Sequence, residues 1–313
     1  MKNQLIKMPI LRTLRSACRV DGSLYDSYII QKATDLKRGA ISLTWLGTAG
    51  VLVSDGETGL LIDPYISRFG MLRILLNQAL EPDRILIAAR FKKMGERLVQ
   101  AVIVSHSHFD HLVDAPYFAM LAGAPLVGSE STMNIGRGAG MTDSQLIQVK
   151  PGQSLTFGRF TVRFLESRHG PAVFGRIPYP GDITSPLRQP ARASDFRVGT
   201  VFGILMTHPS GTILHHGSAG YIPGMYRGIQ ADAVLLGIAG RGDTEQYLKE
   251  VALQTGSRIL IPVHFDNFFK PLDSGLSFQP MVNFSGFIRA SEKYAKSFSL
   301  KTLPIGESAR ILP

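Results

Sequence analysis

The sequence predicts a mixed α/β (α+β) domain built as a four-layer αββα sandwich, in which two β-sheets pack face to face with helices outside. Short apolar strand segments followed by helical segments occur twice along the chain of 313 residues, and this order implies two helix-covered sheets. Hydrophobic residues make up 44% of the chain and charged residues 19%, which is enough to bury a sizeable core. No fixed-period repeat or low-complexity linker divides the chain, so we expect one domain after an N-terminal extension.

Three strands rich in Val, Ile, Leu and Thr open the domain and are separated by Gly or Asp-Gly turns. They are predicted at 41–46, 49–54 and 58–62. Residues 66–96, interrupted by Pro82, predict an insertion of one or two helices. After a strand at 101–104, Asp114 is expected to cap a helix that has Pro116 in its first turn, and a strand at 125–128 follows.

The second half of the chain repeats this mixture of strands and helices. Strands are predicted near 146–149, 154–157, 160–166, 200–206, 212–216, 232–238 and 258–263, and helices near 243–255 and 280–297. A second insertion, at 170–199, is irregular and rich in Pro and Gly. Loops of this length inside a domain are usually lids or binding loops, so we expect this one to contact substrate.

The loop after the strand at 101–104 is dense in metal-ligand side chains. It reads His106-Ser107-His108-Phe109-Asp110-His111. Neutral imidazole nitrogens and carboxylate oxygens are ligands that zinc prefers. The two histidines separated by one residue can converge on one ion, while Asp110 and His111 can reach a second ion beside it. This spacing predicts two adjacent metal positions.

The H-x-H-x-D-H pattern resembles the signature of the metallo-β-lactamase superfamily. Further resemblance lies in the opening hairpin at 41–65, with its L-G-x-A-G turn, and in His169 and His264 at the ends of predicted strands. The resemblance covers roughly residues 41–270 and implies the αββα sandwich of this superfamily. It therefore implies a basic extension at 1–40 and a catalytic domain at 41–313. The W-L-G-T-A opening is similar to branches that include lipid phosphodiesterases and lactonases.

The resemblance also implies how the ligands are divided between two metal sites. His106, His108 and His169 would form the first site, and Asp110, His111 and His264 the second. Ser218 stands where the superfamily has an aspartate that bridges both metals. A neutral hydroxyl brings no charge to offset two dications. We therefore expect one zinc ion with a weakened or missing second ion, with manganese or iron as alternatives.

Four other residues near this motif need an interpretation. Asp243, in a Gly-Asp-Thr triplet, precedes a predicted helix and is interpreted as its N-cap. Asp63 is expected to orient a ligand histidine by accepting its second ring N–H. His215 and His216 are consecutive on a predicted strand and therefore face opposite sides. Either one of them turns toward the metals, or one is buried and the other is at the surface.

The charge and the cysteine content of the chain limit which cellular compartment and which binding partners we expect. The formal net charge is +10, and residues 1–40 contribute half of it, with eight Lys or Arg against three Asp. This segment is either a solvated extension or an arm that attracts anionic lipid or nucleic acid. The lone Cys18 excludes a disulfide framework, and no secretory core or apolar run long enough for a transmembrane helix is present. We expect a cytoplasmic protein; the sequence does not determine its oligomeric state.

The predicted activity is hydrolysis by metal-activated hydroxide, because a bound dication lowers the pKa of water from about 15.7 to about 7. Asp110 is expected to accept a hydrogen bond from the hydroxide or to take a proton for the leaving group. His264 is expected to help polarise the scissile group. The G-x-S-x-G elbow of serine hydrolases is absent from the sequence. Arg176, Tyr179 and Arg188 in the second insertion predict a small anionic substrate, either a phosphodiester, lipid-like or not, or a lactone.

Two alternatives to this hydrolase remain open at the level of sequence. Ser218 favours a degenerate domain that binds a metal or an anionic ligand without turnover. The net charge of +10 favours a nuclease of the tRNA-processing type. However, the basic excess is concentrated at the N-terminus and no RNA-binding motif accompanies it, so we do not expect nucleic acid as a partner.

Overall fold

The computed structural model describes residues 22–32, 38–95 and 98–313. Sixteen strands lie in these ranges: β1 (Ile41–Gly47), β2 (Gly50–Ser54), β3 (Gly59–Ile62), β4 (Ala79–Leu80), β5 (Val99–Ile103), β6 (Leu126–Gly128), β7 (Leu146–Gln148), β8 (Ser154–Phe157), β9 (Phe160–Glu166), β10 (Ala191–Arg192), β11 (Phe202–His208), β12 (Gly211–His216), β13 (Ala233–Gly237), β14 (Ile259–Val263), β15 (Ser299–Leu300) and β16 (Ser308–Leu312).

The same ranges contain eight α-helices: α1 (Gly22–Asp26), α2 (Met71–Leu75), α3 (Arg84–Lys93), α4 (Phe109–Leu112), α5 (Ala115–Ala122), α6 (Glu130–Gly138), α7 (Thr244–Tyr247) and α8 (Phe284–Glu292). A π-helical turn, Leu248–Leu253, continues α7. Within these ranges no helix is long and apolar enough to cross a bilayer.

Two seven-stranded sheets form the centre of the described part of the molecule. The first has the order β16-β1-β2-β3-β5-β6-β7, and the second the order β15-β14-β13-β12-β11-β9-β8. In each sheet an antiparallel meander continues into parallel strands, which begin with the pair β3 and β5 in one sheet and with β12 and β13 in the other. The parallel strands β3 and β13 are buried along their whole length, as expected where helices and the other sheet cover both faces.

Alternation along the strands separates the core between the sheets from the core beneath the helices. Leu60 and Ile62 of β3 pack with Phe164 and Phe202 of the second sheet, while Leu61 between them packs with residues of α3 and α5, including Ile87 and Phe118. Successive side chains of a strand point to opposite faces. Helices α7 and α8 cover the second sheet through buried side chains such as Tyr247 and Phe287. The predicted αββα sandwich is thereby confirmed.

The two predicted insertions contact each other. The first contains α2, α3 and β4, and the second is irregular apart from β10 and one turn of 3-10 helix. Strands β4 and β10 pair antiparallel, with Leu80 opposite Ala191, and Asn77 Nδ2 donates to Ser194 Oγ at 3.0 Å. The first insertion was predicted as helical, whereas this third, two-stranded sheet was not predicted.

Part of the N-terminal segment packs on the domain. Tyr25 of α1 is buried, and its hydroxyl donates to the carbonyl of Leu303 at 2.6 Å. Its ring lies 6.1 Å from that of Phe265. Cys18 and most of the basic residues of 1–40 fall outside the described ranges. The division into an extension at 1–40 and a domain at 41–313 therefore stays a prediction.

Candidate metal centre

The candidate ligands lie where strand ends of both sheets meet. His106 and His108 follow β5, His169 follows β9, and His264 directly follows β14. The loop after β5 turns into α4, so Asp110 and His111 sit on its single helical turn. Loops at the ends of buried strands hold side chains on a rigid scaffold, and here the ends of three strands bring six side chains together.

The first cluster consists of His106, His108 and His169, with one ring nitrogen of each within 4.8 Å of the others. His108 Nε2 lies 2.8 Å from the carbonyl of Pro178, and His169 Nδ1 lies 2.6 Å from that of Gly170. A carbonyl only accepts, so these nitrogens carry the protons of the neutral rings. His108 Nδ1 and His169 Nε2, 3.1 Å apart, then both lack a proton.

Two unprotonated nitrogens facing each other, with no hydrogen between them, fit a cation that both can ligate. The Nε2 atom of His106 is buried and has no hydrogen-bond partner among the described residues. Burial lowers the pKa of His106 well below its ordinary value, that of His108 to about 4 and that of His169 to about 3. All three rings are therefore neutral at pH 7, which is the ligating form.

The second cluster consists of Asp110, His111 and His264. Asp110 Oδ2 lies 3.2 Å from His264 Nε2 and 3.7 Å from His111 Nε2. Burial by itself raises the pKa of Asp110, but the neighbouring rings of His111 and His264 outweigh it and hold this pKa well below its usual range. Burial lowers the pKa of His111, but the charges of Asp110 and Asp63 reverse this effect and raise it. The donor set of two imidazoles and a carboxylate suits a divalent transition metal.

Asp63 is linked to both clusters by hydrogen bonds, directly to His111 and through Ser105 to His106. Its Oδ2 accepts from His111 Nδ1 at 2.9 Å and from the Ser105 hydroxyl at 2.5 Å, and its Oδ1 accepts the Ser105 N–H. Ser105 Oγ also lies 3.2 Å from His106 Nδ1. Because Nδ1 of His111 donates to Asp63, Nε2 is the ring nitrogen that faces Asp110 and is free to ligate a metal. The structure thus places Asp63 where the sequence analysis expected an orienting carboxylate.

A family model described as "Beta-lactamase superfamily domain" matches residues 58–266, which contain all six of these side chains. The chain belongs to the metallo-β-lactamase superfamily. Two curated relatives are named metal-dependent hydrolases. One, from Pyrobaculum islandicum, is 25% identical over 59% of this chain and 64% of its own length. The other, from Carboxydothermus hydrogenoformans, is 25% identical over 73% and 86%. The chain thus spans slightly less than two thirds of the first of these relatives.

Solved structures share the fold at low sequence identity. Igni18, a metallo hydrolase from Ignicoccus hospitalis, is similar with a TM-score of 0.56 and 17% identity, over 87% of this chain and 98% of Igni18. CmlA, a diiron β-hydroxylase from Streptomyces venezuelae, is similar with a TM-score of 0.51 and 13% identity, over 88% and 54%. These similarities concern the metallo-β-lactamase fold alone.

Ser218, at the position of the superfamily's bridging aspartate, is buried, and its hydroxyl has no partner among the described residues. Its turn lies close to Asp63, because a Cβ added at Gly217 would approach Asp63 Oδ2 to 2.9 Å. The side chain that differs from the superfamily pattern is therefore buried, in a turn next to the carboxylate that binds His111. Asp110 remains the one acidic side chain in the two ligand clusters.

His215 and His216 point to opposite sides of β12, as their consecutive positions predicted. His215 Nε2 donates to the carbonyl of Ala49 at 2.8 Å. His216 lies 2.6 Å from the hydroxyl of Tyr226 through Nδ1 and 2.8 Å from the carbonyl of Gly220 through Nε2. Burial lowers the pKa of His216 to about 3. Both rings are buried and neither joins a ligand cluster, so the surface position expected for one of them is wrong.

The predicted substrate-contacting residues differ in their placement. The ring of Tyr179 lies 6.3 Å from that of His108, which puts this residue at the first cluster. Arg176 and Arg188 are exposed, and neither guanidinium has an ion-pair or hydrogen-bond partner among the described residues. The backbone before Arg188 lies against α6, since a Cβ added at Gly138 would approach the carbonyl of Leu187 to 1.9 Å.

Two acidic side chains near helices have different functions. Asp243 is the N-cap of α7 and accepts from the N–H of Gln246 at 2.7 Å, as predicted. Asp114 occupies the N-cap position of α5 but makes no capping bond. It accepts instead from the N–H groups of Ile66 and Ser67 at 2.6 and 2.7 Å. The predicted cap is therefore wrong. Asp114 holds the start of the first insertion, and burial raises its pKa to about 6.

Proposed function

We propose that this protein is a metal-dependent hydrolase of anionic esters, with zinc as its metal and a phosphodiester as its first substrate class. The observation that carries the proposal is the pair of facing unprotonated nitrogens of His108 and His169, 3.1 Å apart. The names of the relatives from Pyrobaculum islandicum and Carboxydothermus hydrogenoformans, both metal-dependent hydrolases, support the same reaction class.

The residues present fit metal binding at both clusters. His106, His108 and His169 would hold the first ion; Asp110, His111 and His264 would hold a second, more weakly because Ser218 supplies no bridging charge. A bound dication supplies a water whose pKa falls to about 7 and polarises the substrate oxygen. Asp110 is ionised because its pKa is lowered, and it would accept a hydrogen bond from the attacking water and pass a proton to the leaving group. His264, whose Nε2 lies 3.2 Å from Asp110 Oδ2, would help to polarise the scissile group through the ion that it holds.

The second insertion supports an anionic substrate. The guanidinium of Arg197 is already engaged within the insertion, because it donates to the carbonyl of Pro180 at 2.9 Å. Arg176 keeps an unpaired guanidinium seven residues after His169, and guanidinium groups recognise phosphate and carboxylate through paired N–H donors. A lactone, which opens to a carboxylate, is the second substrate class.

Metal analysis and a substrate panel test this proposal. Protein purified without chelator is expected to contain zinc by elemental analysis, and to hydrolyse bis-p-nitrophenyl phosphate faster than lactone or thioester substrates. If iron or manganese were the only metal found, that metal would take the place of zinc in the proposal. Metal-free protein that neither binds added zinc nor hydrolyses any substrate would overturn the proposal.

A second candidate function rests on Ser218 alone. A domain without the bridging carboxylate could bind one metal and an anion without turnover. It predicts stoichiometric metal together with no hydrolysis of any panel member, and Tyr179→Phe and Arg176→Gln would then weaken anion binding without changing the metal content.

A further inference from the structure

Helix α2 exposes an apolar face to solvent. The side chains of Leu72, Leu75 and Leu76 are 68%, 73% and 60% exposed. Residues three and four apart lie on one side of a helix, so these three leucines form one surface. Ile85, at the start of α3, is 86% exposed. We call Leu72, Leu75 and Leu76 the leucine face.

Single exposed apolar residues are common on proteins, but a clustered set marks an interaction surface. Helix α2 buries none of its residues, although four of its five are Met, Leu or Ile. It therefore contributes little to the core, and packing within the chain does not explain its composition. The leucine face needs a partner outside the described part of the chain.

The exposed charges in the sequence from α2 to the end of α3 are mainly positive. Between residues 70 and 95, Arg73, Arg84, Lys92 and Lys93 are exposed cations, against the exposed carboxylates of Glu81 and Asp83. Arg73 lies next to Leu72 in sequence and has no ion-pair partner among the described residues. The guanidinium of Arg84 lies 4.6 Å above the ring of Tyr117.

The helix is held near the metal centre by contacts on both sides. Residues Ile66 and Ser67, which precede it, bind Asp114 close behind the metal loop. Asn77 and β4, which follow it, bind the second insertion. A surface that contacts the leucine face would therefore lie beside the rim formed by the two insertions.

We propose that the leucine face docks on an anionic lipid bilayer. Apolar side chains interleaved with arginines suit the boundary between head groups and acyl chains, where leucines enter and cations stay with anionic lipid. A second copy of the chain fits less well as the partner. In a two-fold contact through the same surface, Arg73 and Arg84 of one copy would face Arg73 and Arg84 of the other, and these like charges repel. The proposal goes beyond the proposed function, since docking does not depend on the bond that is cleaved.

Vesicle co-sedimentation of the full chain tests this docking. The protein is expected to sediment with phosphatidylcholine vesicles containing about 30% phosphatidylglycerol, and much less with pure phosphatidylcholine, because anionic lipid attracts cations. The variant Leu72→Asp/Leu75→Asp should reduce binding to the anionic vesicles by about tenfold or more. The matched control is Met281→Asp. Met281 is 75% exposed and precedes α8 on the second sheet, so this variant should bind as the wild type does.

Circular dichroism and thermal melting establish that each variant is folded, and Leu75→Ser replaces the double variant if that one is not. Undiminished binding by the folded leucine variants would overturn the proposal. So would loss of binding only in Arg12→Glu/Arg15→Glu, which would assign the contact to the N-terminal segment. A wild-type dimer that the leucine variants dissociate, without vesicle binding, would assign the face to a second copy. Sedimentation does not measure turnover, so its failure would leave the proposed hydrolysis untouched.

Discussion

Arg68 and Asp266 form an ion pair of 2.6 Å between side chains that are only 3% and 2% exposed. Arg68 lies at the start of the first insertion, and Asp266 lies two residues after His264. Asp266 Oδ1 also accepts the N–H of Thr48 at 2.7 Å, while the N–H of His264 donates to the carbonyl of Thr48 at 2.8 Å. One buried pair thereby connects an insertion, the opening hairpin and a candidate metal ligand.

Replacing Arg68 by methionine should destabilise the protein strongly. The change leaves the carboxylate of Asp266 buried without its counter-ion, which costs about 3–5 kcal/mol. The control is Arg258→Met, which breaks an Arg–Asp pair whose side chains are 75% and 30% exposed and should cost less than about 1 kcal/mol. Urea unfolding of both variants measures the difference. Equal losses would show that burial of the Arg68 pair contributes nothing.

Removing either histidine of the central motif should abolish metal binding at the first cluster. His106→Ala and His108→Ala each remove one of three nitrogens, and two remaining imidazoles do not complete a site. Elemental analysis and hydrolysis of a chromogenic diester should both fall to background. Cys18→Ala should leave both unchanged. Full metal content in either histidine variant would contradict the ligand assignment.

Ser218→Asp should strengthen binding of a second metal ion. The new carboxylate would add negative charge at a buried position, where it would offset the charge of bound cations. Titration calorimetry with zinc should then resolve a second site, with at least about a tenfold gain in affinity. The control is Ser218→Asn, which introduces a side chain of nearly the same size as aspartate but without its charge. This variant should bind the same number of zinc ions as the wild type. A second ion in both variants would point to shape rather than charge.

Asp63→Asn should weaken metal binding at the second cluster by about 10–100-fold, the usual effect of removing the group that orients a ligand histidine. The amide can present its NH₂ to His111 Nδ1 and so favour the wrong tautomer. Asp55→Asn is the matched control, because Asp55 pairs with the buried His208 at 3.2 Å, outside both clusters. Equal zinc affinities of the two variants would exclude an orienting function for Asp63.

Acidification should release the ion of the second cluster before that of the first. The pKa of His111 is raised above its ordinary value of about 6.5. Protons therefore compete with the metal for this ring at a higher pH than they would for a free imidazole. The pKa of His108, lowered to about 4, and that of His169, lowered to about 3, postpone such competition to far lower pH. Metal content after dialysis in a series from about pH 7 to about pH 4 measures the order. Simultaneous loss of both ions would contradict it.

Local sequence predicted the opening strands well, and it singled out the side chains that the fold brings together. The opening strands β1 to β3 lie within one residue of their predicted bounds, because Gly and Asp-Gly turns separate continuous apolar runs. The metal loop was recognisable because its ligands are adjacent in sequence. The six ligand side chains that the resemblance grouped into two sites do lie in two clusters.

Long-range pairings were not predictable in this way. Strand β16 lies beside β1 across more than 250 residues of chain, and its short mixed segment resembles a loop. Asp114 has the sequence position of a helix cap. Only the folded structure shows that its carboxylate accepts hydrogen bonds from the N–H groups of Ile66 and Ser67 instead. Nothing local to Arg68 or Asp266 indicates that they are partners.

Strands β4 and β10 make the two insertions dependent on each other. A change of length in either one would leave the other with an unpaired strand, and would alter the rim of the metal centre from both sides. Grafting a single insertion from a relative should therefore give a poorly folded rim, whereas exchanging both should transfer a working one. Among relatives that carry both insertions, substrate range should accordingly change through paired rather than single loop replacements.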